Sequence, residues 1–203
     1  MKIKTKIILG TVLVVAVVFA FQLGAMKMIE AAPLEGWLWG GSNDDSGTSA
    51  GVGWGSVNSK NCDTDLDGVA EECGIAGETM GDYYVDVPLT DGNVSGYAWF
   101  ENIGWVDFNV DENCGVDYPA ASCVDPDSGD GGVVRSGNYL EGWARIVGIA
   151  EESAVGNSGG WQGWIKMSGN TQDGNPYGVD LSDRENSYAW SEELGAISFE
   201  EVL

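Results

Sequence analysis

The stretch GYAWFENIGWVDF at residues 96–108 decides the fold. It holds two short arms, Gly96-Tyr97-Ala98-Trp99 and Gly104-Trp105-Val106-Asp107-Phe108, joined by residues 100–103. Aromatic and β-branched runs with Asn and Gly between them read as a β-hairpin. The first arm recurs as Gly36-Trp37-Leu38-Trp39, Gly142-Trp143-Ala144-Arg145 and Ser187-Tyr188-Ala189-Trp190. The second recurs as Gly53-Trp54-Gly55-Ser56-Val57, Gly163-Trp164-Ile165-Lys166-Met167 and Gly195-Ala196-Ile197-Ser198-Phe199. Self-similarity of this kind points to four related hairpins. They also group in twos. Tyr84-Val85-Asp86-Val87 before the second hairpin is echoed by Tyr177-Gly178-Val179-Asp180-Leu181 before the fourth, which gives related halves at 33–110 and 139–203.

Alternate side chains of a strand share a face, so Val106, Phe108 and Val110 lie together while Trp105, Asp107 and Asn109 lie opposite. The same split separates Ile165 and Met167 from Trp164 and Lys166, and Ile197 and Phe199 from Ala196 and Ser198. Trp54, Trp105 and Trp164 therefore stand on the polar side. They are expected to be covered by acidic loops; the alternative is an open aromatic surface able to bind a ligand. The glycine before each indole permits close approach of a neighbouring backbone or ring.

Helical signals are sparse; residues 150–155 read as at most a turn of helix. The expected architecture is all-β, a sandwich or flattened barrel of about ten strands built from two duplicated halves and preceded by an N-terminal hydrophobic helix. A small β-propeller is the alternative, since the hairpin starts at 37, 97, 143 and 188 lie 60, 46 and 45 residues apart.

The repeat resembles that of a family of tryptophan-rich secreted proteins from candidate-phyla bacteria, G-[YW]-A-W-x-x-x-I-G-W-[IV]-x-F, carried best by residues 96–108. LEGWAR at 140–145, GWIKMSG at 163–169 and the closing SYAW and GAISF look like further units. The resemblance implies a secreted or cell-surface protein without assigned activity, and it carries no catalytic residues over. The fourth unit departs from the pattern, with Ala196 where the others have Trp.

Lys2, Lys4 and Lys6 precede an uncharged run from residue 7 to 26, followed by Lys27, Glu30, Ala31 and Ala32. This is a signal-peptide layout, although an apolar run of about 20 residues also suffices for a signal anchor. Residues 1–32 are thus a signal peptide or anchor, and the single domain at 33–203 is expected outside the cytoplasm. Membrane contact is expected only through the leader, if it is uncleaved. The leader holds four of the nine basic residues and one of the 32 acidic ones, so the exported part has 31 acids against 5 bases, a charge of −26. Such a field repels nucleic acid and attracts cations.

Two local cysteine couples, Cys62 with Cys73 and Cys114 with Cys123, fit disulfides in an oxidising compartment. Their spacing does not match structural zinc motifs. The chain has no histidine, which removes the Ser-His-Asp and Cys-His systems and leaves any catalysis to carboxylates.

Between Cys62 and Cys73 lies Asp63-Thr64-Asp65-Leu66-Asp67-Gly68, a D-x-D-x-D-G run resembling EF-hand, dockerin and thrombospondin type 3 loops. Candidate calcium ligands are Asp63, Asp65, Asp67, Val69, Glu71 and Glu72, with Gly74 at the position where an EF-hand has its bidentate glutamate. Calcium here would be structural and weakly held, at about 10⁻⁴–10⁻³ M. A second acidic cluster, Asp125, Asp127 and Asp130, reads as a solvated loop.

The leading functional expectation is a calcium-stabilised structural or adhesive surface protein, not an enzyme. Its partner would be a glycan or another cell-surface component. The alternative is a carbohydrate-binding module using Trp54, Trp105 and Trp164. A carboxylate-dependent glycoside hydrolase ranks third.

Overall fold

The computed structural model describes residues 32–43, 49–62, 82–115, 123–127, 129, 131–171 and 173–202. The expected leader helix, the calcium-type loop with Asp63, Asp65, Asp67, Val69, Glu71 and Glu72, and the Cys62–Cys73 bridge lie outside the described residues.

Strands β1 (Ala32–Pro33), β2 (Gly36–Asn43), β3 (Ser49–Ser56), β4 (Val85–Val87) and β5 (Gly92–Asn93) come first. Next come β6 (Ser95–Phe100), β7 (Gly104–Asp107), β8 (Gly132–Ser136) and β9 (Tyr139–Ile146). The last are β10 (Trp164–Lys166), β11 (Ser168–Asn170), β12 (Pro176–Asp180), β13 (Tyr188–Ser191) and β14 (Gly195–Val202). A helix, α1 (Val147–Ala154), lies between β9 and β10, longer than the single turn read from the sequence.

The four expected hairpins are β2–β3, β6–β7, β9–β10 and β13–β14, and all are antiparallel. The first strand of each pairs with the second strand of the hairpin before it: β6 with β3, β9 with β7, and β13 with β10. Pairing of β2 with β14 closes the ring into an eight-stranded antiparallel barrel. A barrel, not an open sandwich or a set of blades, follows because each hairpin offers one edge to each neighbour; closure leaves none of these eight strands as an exposed edge.

Eight strands leave an interior just wide enough for side chains to fill. The inward residues face one another as small against large across each hairpin: Leu38 with Gly55, Ala98 with Val106, Ala144 with Ile165, and Ala189 with Ile197. Phe100, Phe108, Ile146, Met167 and Phe199, each at most 2% exposed, complete the core. The Phe100 ring fills the space beside Gly55, where an added Cβ would meet it at 2.4 Å.

The repeat is finer than two halves. One backbone hydrogen bond recurs in every hairpin: Val57, Phe108, Met167 and Phe199 donate to the carbonyls of Gly36, Gly96, Gly142 and Ser187. A strand then follows each of the first three hairpins. Val85, Val133 and Val179 donate in turn to Val57, Phe108 and Met167, so β8 is a third copy of the element that the sequence displays at 84–87 and 177–181.

Seven of the eight barrel segments are entered through a glycine of positive φ, namely Gly36, Gly53, Gly96, Gly104, Gly142, Gly163 and Gly195; Ser187, at φ −94°, takes the eighth place. At Gly96 the reason is close approach, since a Cβ would lie 1.9 Å from the Tyr84 carbonyl oxygen. At Gly195 nothing lies within 4 Å and only the φ of 82° resists substitution. Gly195→Ala should therefore cost roughly 1–2 kcal/mol, and Gly96→Ala roughly 3 kcal/mol or more. Urea unfolding midpoints of the two variants check that order.

Candidate functional site

Because the apolar residues point inward, the barrel carries its indoles outside. Each hairpin presents the same two outward cross-strand pairs. The first comprises Trp37 with Ser56, Tyr97 with Asp107, Trp143 with Lys166 and Tyr188 with Ser198. The second comprises Trp39 with Trp54, Trp99 with Trp105, Arg145 with Trp164 and Trp190 with Ala196. What differs is what lies over them.

On the third hairpin the protein's own cations occupy the rings. The Arg145 guanidinium carbon is 4.4 Å from the Trp164 ring centroid and Lys166 Nζ is 4.7 Å from that of Trp143. Asp127 completes the arrangement, accepting from Lys166 Nζ at 2.6 Å and from Trp143 Nε1 at 3.1 Å. The Lys166 hydrogen bond is the main reason that the Asp127 carboxyl sits below its ordinary range. Trp164 is only 4% exposed, packed with Val110, Ala150 and Cys123. The Cys114–Cys123 disulfide forms as expected and staples this cover. The acidic loop is thus not merely solvated: Asp127 holds Lys166 and Asp125 accepts from the Gly129 amide, while Asp130 lies outside the described residues.

The second hairpin is capped by Tyr83, whose ring meets Trp105 edge-on at 5.0 Å. Tyr83 packs against Trp37 and Trp99 as well, and burial raises its phenol above the usual range, opposed by a hydrogen bond with Ser56. On the fourth hairpin Tyr188 stacks with Tyr177, centroids 5.5 Å apart.

The first hairpin stays open. Trp54 is 50% exposed, its ring tilted against Trp39 at 4.8 Å. Beside it runs a groove of about 600 Å³ lined by Trp37, Gly53, Trp54, Trp99, Glu101, Asn102 and Glu201. Strand pairing brings these residues together: Ser56 lies between Trp37 on β2 and Trp99 on β6, and Glu201 on β14 faces Trp37. Asn102 Nδ2 donates to the Val52 carbonyl at 3.0 Å and pins the turn that carries Glu101 to β3. The volume falls in the range of small-molecule sites, and the lining combines aromatic faces with a few polar groups.

Of the three indoles singled out in the sequence, only Trp54 lines this groove. Trp105 is half-buried under Tyr83, and Trp164 is buried under the disulfide segment, its ring taken by Arg145. Cover by acidic loops describes Trp164; a tyrosine covers Trp105, and Trp54 is uncovered. Trp37, Trp99, Glu101, Asn102 and Glu201 went unmarked by sequence reasoning, although Trp37 and Trp99 occupy the outward positions that strand alternation assigns to first arms. Among the described residues no group of three or more Cys, Asp or Glu is placed to hold a metal ion. Comparison with protein-family models, curated proteins and solved structures finds no match for this chain.

A carboxyl whose folded pKa is lowered stabilises the fold above its unfolded pKa of about 3.9 and loses that contribution as pH falls through the folded value. Asp127→Asn should therefore lower stability at pH 6 by about 0.2–1 kcal/mol, the range of exposed ion pairs. The difference should shrink as pH falls through the lowered folded pKa of Asp127. Urea midpoints of both proteins over a pH series from 6 downward check this.

Proposed function

We propose that the exported domain is a non-catalytic adhesive module of the cell surface that binds glycans in the groove between β2, β3 and β6. The observation that carries this reading is the open arrangement of Trp37, Trp54 and Trp99 beside Glu101, Asn102 and Glu201. Indole faces stack on the apolar faces of sugar rings, and nearby carboxylates and amides take hydroxyl hydrogen bonds. A signal-type leader, a strongly acidic surface and a disulfide agree with an extracytoplasmic site of action. The resemblance to tryptophan-rich secreted proteins points the same way.

The test is a glycan array probed with the wild type and Trp54→Ala. An exposed aromatic anchor carries about 2 kcal/mol of binding, so Trp54→Ala should weaken the best ligand roughly thirtyfold, with unfolding unchanged. Equal binding by both proteins would remove the groove from consideration. No reducing ends should be released from the bound glycan.

Calcium at Asp63, Asp65, Asp67, Val69, Glu71 and Glu72 belongs to the same reading, as a structural ion steadying the insertion at 61–74. Millimolar calcium should raise the thermal midpoint over excess chelator, and Asp65→Asn should abolish the difference.

A further inference from the structure

We infer that the groove selects glycans bearing free amino groups, a preference that rests on the glycan-binding reading above and names its ligand class. The protein contains an internal example of the recognition. On the third hairpin an ammonium, Lys166 Nζ, lies over the Trp143 ring and is held by the Asp127 carboxylate. A guanidinium, Arg145, lies over Trp164 in the neighbouring pair.

The repeat shows what replaces these cations at the groove. Ser56 and Asp107 stand at the position of Lys166, and Trp39 and Trp99 stand at the position of Arg145. The first hairpin keeps both outward indoles, the second keeps Trp105 with Tyr97 at the position of Trp143, and both lack the internal cations. Carboxylates are nevertheless present: Glu101 and Glu201 line the groove with three tryptophans and no basic residue. Among the described residues neither glutamate is ion-paired. An indole surface with carboxylates beside it is complementary to a cation, which gains from the ring quadrupole and from the negative charge together.

The long-range field has the same sign. A net charge of −26 on residues 33–203 enriches cations at the surface and disfavours uronic or sialic acids. A polymer of amino sugars supplies a ring face and an ammonium on every residue, so successive rings can address Trp37, Trp54 and Trp99 while their ammonium groups address Glu101 and Glu201. A lysine-rich peptide offers the charge without the ring faces, and three indoles would be more than it uses.

The experiment is a tryptophan-fluorescence titration of the full chain at low salt with three probes: a β-1,4-linked glucosamine tetramer, its fully N-acetylated counterpart, and tetralysine. The glucosamine tetramer should bind at least tenfold more tightly than the acetylated one. That preference should shrink with added salt and as pH rises above the amine pKa. Glu101→Gln with Glu201→Gln should reduce it below threefold while leaving the acetylated tetramer's affinity in place, and Glu151→Gln, an exposed charge on α1, should leave it unchanged. Equal affinity for the two sugars overturns the amine preference and leaves the glycan reading standing. Binding of neither sugar removes the glycan reading itself. Tighter binding of tetralysine, or a preference equally sensitive to Glu151→Gln, overturns the inference in favour of a basic peptide or a diffuse charge effect.

Discussion

Everything in this molecule depends on the pairing of its first barrel strand with its last. Gly36 meets Val202, Trp37 meets Glu201, Trp39 meets Ser198 and Gly40 meets Ile197, and with these contacts four hairpins become a ring. Without them β2 and β14 would be open edges and the apolar faces of all four hairpins would lie against water. Closure also creates the groove, because it places Glu201 beside Trp37, a residue far away in the chain. Strands β2 and β14, at opposite ends of the domain, are thereby coupled in folding.

Once the ring is closed, the outward faces become four versions of one surface, and the connections between hairpins decide the fate of each. The connection after the second hairpin carries the Cys114–Cys123 bridge and covers the indoles of the third. The connection after the first supplies Tyr83, which caps Trp105 and braces Trp37 and Trp99 from one side. Trp164 of the third hairpin is buried, whereas Trp54 of the first and Trp190 of the fourth stay 50% and 40% exposed.

Much of the fold could be read directly from residues 96–108 and their copies, because strand periodicity and the glycine that opens seven of the eight arms are local properties. The strand at Gly132–Ser136 was missed: it is short, carries Arg135 and Ser136, and lacks the tyrosine that marks 84–87 and 177–181. Its place in the repeat is visible only through the Val133 hydrogen bond to Phe108. Asp127 likewise looked like one carboxylate in a solvated run. Its role depends on Lys166, 39 residues away.

The division between the two levels has a clear physical basis. Alternation along a strand settles which side chains face inward and which face outward, so the amino-acid order alone placed Val106, Ile165 and Ile197 in the core and Trp54, Trp105 and Trp164 on the other face. Whether an outward indole is buried, capped or free depends on which distant segment packs over it. That is a property of three-dimensional neighbours, so only the closed barrel could leave Trp54 half exposed while Trp164 is buried in an almost identical motif.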